Sequence, residues 1–205
     1  MKSCFKNHIF CLTLERKMAT KQSYINQLCH HYESHFGMAG KHRNLQLGSI
    51  EKLHPDFFVL VIPPNPRHKC WVYCSVGMAL DQDDDGRIEL FVFSPREDSA
   101  LVELITVCAS FHRNEHILDL HHTVNIGKTW LNQSACDHAY ISLPYLDGEA
   151  LELFQFEGKT VHCYWLIPIT KQERDYKIEQ GSETLEQLFE DKGLDYLNPQ
   201  RKSLV

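Results

Sequence analysis

Residues 71–95 read WVYCSVGMALDQDDDGRIELFVFSP, and the reading of this stretch decides the fold. Its first half is apolar and rich in β-branched and aromatic residues, and Ile88 to Phe93 repeats that character. Between them, Asp81-Gln82-Asp83-Asp84-Asp85-Gly86 is an acidic run closed by glycine. Two apolar runs of strand length around such a segment predict two strands joined by a solvated loop. Neither run alternates cleanly between apolar and polar, so both faces of both strands are expected to be covered, as in the middle of a sheet.

On the N-terminal side, Ser23 is the predicted N-cap of a helix. Tyr24, Ile25, Leu28, Tyr32 and Phe36 recur at helical spacing, and Gly37 stops it. Residues 37–56 are polar and contain glycine, a loop. Phe57 to Ile62 reads as a buried strand ended by Pro63-Pro64. On the C-terminal side, Asp98 or Ser99 caps a helix whose apolar face is Leu101, Leu104, Ile105, Cys108 and Phe111. Strands are expected at Leu118 to Val124, Ala139 to Leu143 and Leu151 to Phe156, and at Val161 to Ile167 with Pro168 as its end. Thr170 and Glu173 form a capping box for a helix from Lys171 to Gln180. Gly181 breaks that helix, and Ser182, Leu185, Leu188 and Phe189 mark a last short one. The implied class is α/β (α+β): a single domain with a central mixed, largely buried β-sheet flanked by helices.

The chain of 205 residues is 43% hydrophobic and has no long Pro/Gly/Ser linker, which fits one domain with a sizeable core. Its net charge of −6 is unevenly placed. Residues 1–70 hold ten Lys/Arg against four Asp/Glu, and residues 71–205 hold eleven against twenty-three. An acidic body argues against nonspecific nucleic-acid binding and favours basic protein partners. The eight cysteines show no C-x-x-C pair and mostly sit within apolar patterns, as reduced thiols of a cytoplasmic protein do. No apolar run approaches the ~20 residues that span a bilayer, so no membrane association is expected. The apolar part of the first 17 residues is too short for a signal peptide, and Glu15-Arg16-Lys17 follows it. Residues 1–17 are expected to be a disordered extension, with Met18 as the natural start and residues 18–205 as the domain.

Two short motifs invite metal chemistry. Asp81, Asp83, Asp85 and Gly86 match the first ligand positions of an EF-hand loop. The position that should carry a bidentate glutamate is Val92, inside a predicted strand. His112-Arg113-Asn114-Glu115-His116 spells an inverted zinc-peptidase motif, with Glu186 as an imaginable third ligand. Against it, the helical pattern fades at Asn114, and a ligand pair one turn apart needs an intact helix. His30-His31 and His121-His122 are adjacent pairs, and neighbours on a strand point to opposite faces. No nucleophile elbow and no nucleotide-binding glycine motif occurs, and the tryptophans and tyrosines of WVYCSVG and CYWLIP read as core packing. No cofactor is expected.

Several stretches taken in order resemble the suppressor of fused domain family: VIPPNP (61–66), WVYCSVGM (71–78), RIELFVFSP (87–95), HHTVNIG (121–127), then Pro168-Ile169-Thr170-Lys171-Gln172-Glu173 and Gly181-Ser182-Glu183-Thr184-Leu185. Asn65 stands where the family usually has threonine, and His121 where glycine often precedes the histidine. The ending NPQRKSLV is similar to that of bacterial members. The resemblance implies a stand-alone, bacterial-type, non-enzymatic protein-binding module. Bacterial members are often immunity proteins of polymorphic toxin systems, so a basic toxin domain is the implied partner. Candidate contacts are Asp81, Asp83, Asp84 and Asp85 in the acidic loop and Glu183, Glu186 and Glu190 on the last helix, with strand addition at a sheet edge as a second mode. The alternatives are a zinc-dependent hydrolase using His112, Glu115 and His116, and a regulatory binder of another cytoplasmic protein.

Overall fold

A computed structural model describes the backbone of residues 2–45, 53–83 and 86–205, with side chains from residue 18 onward. Asp84, Asp85 and part of the loop predicted over 37–56 lie outside the described residues, as do the side chains of the expected 1–17 extension. The chain opens with helix α1 (Lys2–Phe36) and a short strand β1 (Lys41–Arg43). Strands β2 (Phe58–Ile62), β3 (Trp71–Val76) and β4 (Ile88–Ser94) follow, then α2 (Ser99–Asn114), β5 (Thr123–Asn125) and β6 (Cys136–Ser142). The chain closes with α3 (Glu149–Glu152), β7 (Leu153–Phe156), β8 (Lys159–Thr170), α4 (Lys171–Gln180) and α5 (Ser182–Lys192).

The described strands form one mixed sheet in the order β1-β2-β3-β4-β8-β6-β5, with β7 paired to β8. β1 to β4 are an antiparallel meander, and β5 to β8 are antiparallel among themselves. One parallel seam joins the halves, with Ile88, Glu89, Leu90 and Phe91 opposite His162, Cys163, Tyr164 and Trp165. The predicted central strands are therefore neighbours with both faces covered. Side-chain alternation then divides the core in two. Leu60, Cys74, Phe91, Phe93 and Trp165 pack under α1 and α5, against Leu28, Tyr32, Phe36, Leu185 and Phe189. Val59, Tyr73, Leu90, Val92 and Leu166 pack on the opposite face under α2, against Leu101, Leu104, Ile105 and Cys108. The fold is α+β.

Local signals read from the sequence recur as geometry. Asp98 caps α2, its side chain accepting from the Ala100 N–H. Thr170 and Glu173 form the complete capping box of α4. Gly37, at φ 71°, ends α1 with its N–H on the Glu33 carbonyl. Asn65 ties the β2–β3 connection to that helix end, its amide donating to the Phe36 carbonyl at 2.9 Å. His121 has φ 67°, the left-handed region that favours glycine, which accounts for the glycine common at that place in the resembling family.

Four expectations need correction. Ser23 is not an N-cap but lies inside α1, its hydroxyl accepting from Gln27. No glycine or proline precedes Gly37, so nothing breaks the helix there. Of the expected 118–124 strand only Thr123 and Val124 lie in β5, although His121 and His122 already share backbone hydrogen bonds with Ile141. Leu118 is buried under α2 and the chain takes a left-handed turn at His121. Residues 149–152 are a helical turn, so the strand expected from Leu151 starts at Leu153. β8 runs through Pro168 to Thr170. Its pairing with β4 stops at Trp165 while pairing with β6 continues, so Pro168 lies where one side of the strand is open and a missing N–H is tolerated.

Candidate partner-binding groove

Helix α5 begins at Gly181, whose φ of 93° separates it from α4, and ends at Gly193 in the left-handed conformation. Leu185 and Phe189 face the core. The spacing of three and four residues then places Glu183, Glu186 and Glu190 along one neighbouring face. Beside them lies a groove of about 600 Å³. Trp165 and Ile167 of β8 form its floor, Phe189 and the three glutamates one wall, and Leu194 and Tyr196 its far end. The turn at Pro144–Gly148 supplies the lip, where Tyr145 and Leu146 are 55% and 60% exposed.

An aromatic cluster fixes the floor. Trp165 meets Tyr196 edge-on at 5.0 Å and Phe93 at 5.4 Å between ring centroids. It is 4% exposed, and among the described residues no acceptor takes its indole N–H. Glu186 is the half-buried member of the carboxylate row. Its Oε1 accepts from the Tyr140 hydroxyl at 2.8 Å and the Ser142 hydroxyl at 3.2 Å, with His121 Nε2 at 3.6 Å. Burial and this carboxylate push the Tyr140 and Tyr145 phenols up, so both stay protonated hydrogen-bond donors. Glu183 and Glu190 are exposed and have no ion-pair partner among the described residues.

Asp81 lies elsewhere, against α1, and the structure does not bring it to the groove. Lys21 donates to Asp81 Oδ2 at 2.6 Å, and His54 Nε2 lies 3.2 Å from the same oxygen. The Lys21 hydrogen bond holds the Asp81 carboxyl below its ordinary range. Asp83 is exposed. Asp81 is thus already paired within the chain.

The inverted zinc motif is not assembled. His112 is buried at the end of α2. Its Nε2–H donates to the Gly86 carbonyl and its Nδ1 accepts from the Leu118 N–H, both at 2.9 Å. α2 ends at Asn114, and Glu115 and His116 are exposed beyond it. Among the described residues no three His, Cys, Asp or Glu side chains are grouped to hold a metal ion. The EF-hand ligand Asp85 lies outside the described residues.

Sequence reasoning missed Glu89, the one acidic residue in the apolar run IELFVF. It is fully buried and accepts from the Tyr24 hydroxyl at 2.8 Å, the Ser75 hydroxyl at 2.5 Å and the backbone N–H groups of Gly77, Met78 and Ala79. Burial raises its pKa while five donors pull against that shift. Its isolation among apolar neighbours was the available signal. The groove's aromatic floor gave no such signal, because Trp165 also satisfies the core pattern.

Three known proteins are similar to this chain. The curated protein "Immunity protein YqcF" of Bacillus subtilis (strain 168) is 23% identical over 155 residues, 72% of this chain and 81% of that one. The crystal structure of a SUFU homolog from Neisseria gonorrhoeae FA 1090 superposes with a TM-score of 0.79 at 33% identity, covering 90% of this chain and 98% of that one. The Sufu–Fu complex shares the fold, with a TM-score of 0.64 at 12% identity over 88% of this chain and 92% of that one. No helix among the described residues is long and apolar enough to cross a membrane. Residues 54–202 match the family described as Suppressor of fused protein (SUFU), and the chain belongs to that family.

Proposed function

We propose that this chain is a non-catalytic protein-binding module of the immunity type, acting in the cytoplasm by docking on a toxin domain and covering its active face. The observation that carries the reading is the groove beside α5, where an aromatic floor and an exposed apolar lip adjoin three carboxylates. Buried aromatic anchors inside a charged rim are the features that give protein interfaces their affinity and on-rate. The immunity role of the Bacillus subtilis relative supports the toxin half of the reading. The Sufu–Fu complex, in which that fold holds a protein partner, supports the binding half. An acidic C-terminal portion suits a basic partner, and the six described cysteines are free thiols, which suits a reducing compartment.

The test is to purify the tagged full-length chain from its native cells at low and at moderate salt, and to identify stoichiometric partners by mass spectrometry. The partner is then expressed in a sensitive host with and without this chain. A partner that arrests growth alone and is harmless when co-expressed supports the reading. A partner without toxicity, or toxicity that co-expression does not relieve, overturns the immunity half.

A further inference from the structure

We propose that the groove between α5 and β8 takes a short partner segment in which one apolar side chain is flanked by lysine or arginine. This deepens the binding-module reading and rests on it. Two separate features point to that occupant.

The first is shape and lining. A volume of about 600 Å³ over Trp165, Ile167 and Phe189 holds an aromatic or branched aliphatic side chain with adjoining backbone. Tyr145 and Leu146 extend the apolar surface onto the lip at a cost the free protein bears, since water contacts them.

The second is charge. Glu183, Glu186 and Glu190 repeat one sign along one helix face, where like charges at such spacing repel. Glu190 also lies in the last turn, where the helix dipole disfavours an anion. Glu183 in the first turn suits the helix dipole and Glu186 is held by Tyr140 and Ser142, but Glu190 has neither support. A cation beside Glu183 and Glu190 would offset the repulsion along the row.

A basic segment thus places its cations beside Glu183 and Glu190 and its central apolar side chain over the floor.

The probes are three capped tetrapeptides, RLFR, ELFE and RAAR, titrated into the ¹⁵N-labelled full-length chain. The Trp165 indole signal is assigned by its loss in Trp165→Phe. The expected result is saturable movement of that signal and of α5 amides with RLFR. ELFE binds at least about tenfold more weakly, since charge complementarity decides between them, and RAAR leaves the indole signal in place. Glu183→Gln with Glu190→Gln weakens RLFR by about tenfold and flattens its salt dependence. No saturation with RLFR, equal binding of ELFE, or shifts confined to the Asp81 loop would overturn the proposal. So would concentration-dependent shifts of the same signals without peptide, which would make a second copy of the chain the occupant.

The two readings fail separately. If a captured partner binds Glu183→Arg/Glu190→Arg as tightly as the unaltered chain, the groove proposal falls and the binding module stands. If no partner exists while RLFR binds as described, the groove stands and the immunity reading falls.

Discussion

Arg201 and Glu173 form a doubly hydrogen-bonded ion pair, Nη1 to Oε1 at 2.6 Å and Nη2 to Oε2 at 2.8 Å, with Glu173 fully buried and Arg201 7% exposed. The same carboxylate accepts from the N–H groups of Thr170 and Leu204, and the guanidinium also reaches the Pro168 carbonyl. The NPQRKSLV segment is therefore fastened to the junction of β8 and α4.

Removing Arg201 leaves a buried, uncompensated carboxylate, so Arg201→Ala should cost about 3–5 kcal/mol in urea unfolding. Burial alone would raise the Glu173 pKa, but Arg201 and the N–H donors hold it below the ordinary 4.5. The stability this provides is complete above about pH 4.5 and is lost as pH falls through the folded value. In Arg201→Ala burial is less opposed, so that acid-side loss should vanish or reverse sign. An unchanged slope would show that Glu173 is not its source.

His112 joins α2 to the acidic loop and to Leu118 through both ring nitrogens. His112→Ala should cost about 2 kcal/mol, the loss of two buried hydrogen bonds. Burial lowers the His112 pKa from 6.5 despite the Gly86 carbonyl. Its contribution is thus present above pH 6.5 and declines as pH falls toward the folded value, a slope that His112→Ala should remove. Elemental analysis of both proteins should give the same metal content. A zinc lost with the imidazole would instead revive the hydrolase alternative.

Glu89 gathers five donors at the turn that follows β3. Glu89→Gln keeps the shape but turns one acceptor into a donor facing donors, and should cost about 2–4 kcal/mol in chemical denaturation. A loss below about 1 kcal/mol would mean that the neutral side chain serves equally well and that the carboxylate is not required.

The described cysteines should resist thiol reagents in the native protein. Burial pushes the Cys29, Cys70 and Cys108 thiols up to about 12, and Cys74 and Cys163 are fully buried. In a Cys4→Ser/Cys11→Ser background at pH 8, native protein should titrate few thiols and denatured protein six. Rapid labelling of the folded chain would contradict that burial.

What the sequence disclosed depended on how local its cause was. The Thr170–Glu173 box and the Asp98 cap involve residues two or three apart, and both were readable. The covered faces of β3 and β4 were readable because they lack a polar stripe. Pro168 misled because its tolerance depends on where the β4 pairing stops, which is a tertiary fact. In the groove, the carboxylate row follows from helical spacing and was anticipated. Its aromatic floor was not, since Trp165 and Tyr196 meet only when β8 and the segment after α5 converge. Asp81 was legible as acidic but not as spoken for, because its partner Lys21 lies far away in sequence.

The single parallel seam between β4 and β8 also sets an order of events for the chain as it folds. Each half of the sheet is built from antiparallel neighbours, whereas Ile88 must find His162 across the intervening helices and strands. Closing so long a loop carries the larger entropic cost, so the seam is expected to zip after the meander has formed. Folding rates should then respond more to a destabilising change in the β2–β3 hairpin than to an equally destabilising Leu90→Ala or Tyr164→Ala, which should mainly speed unfolding. The opposite ranking would place the seam in the folding nucleus ahead of the hairpin. Trp165 sits at the last rung of that seam, so the groove floor is completed only when the two halves of the sheet have met.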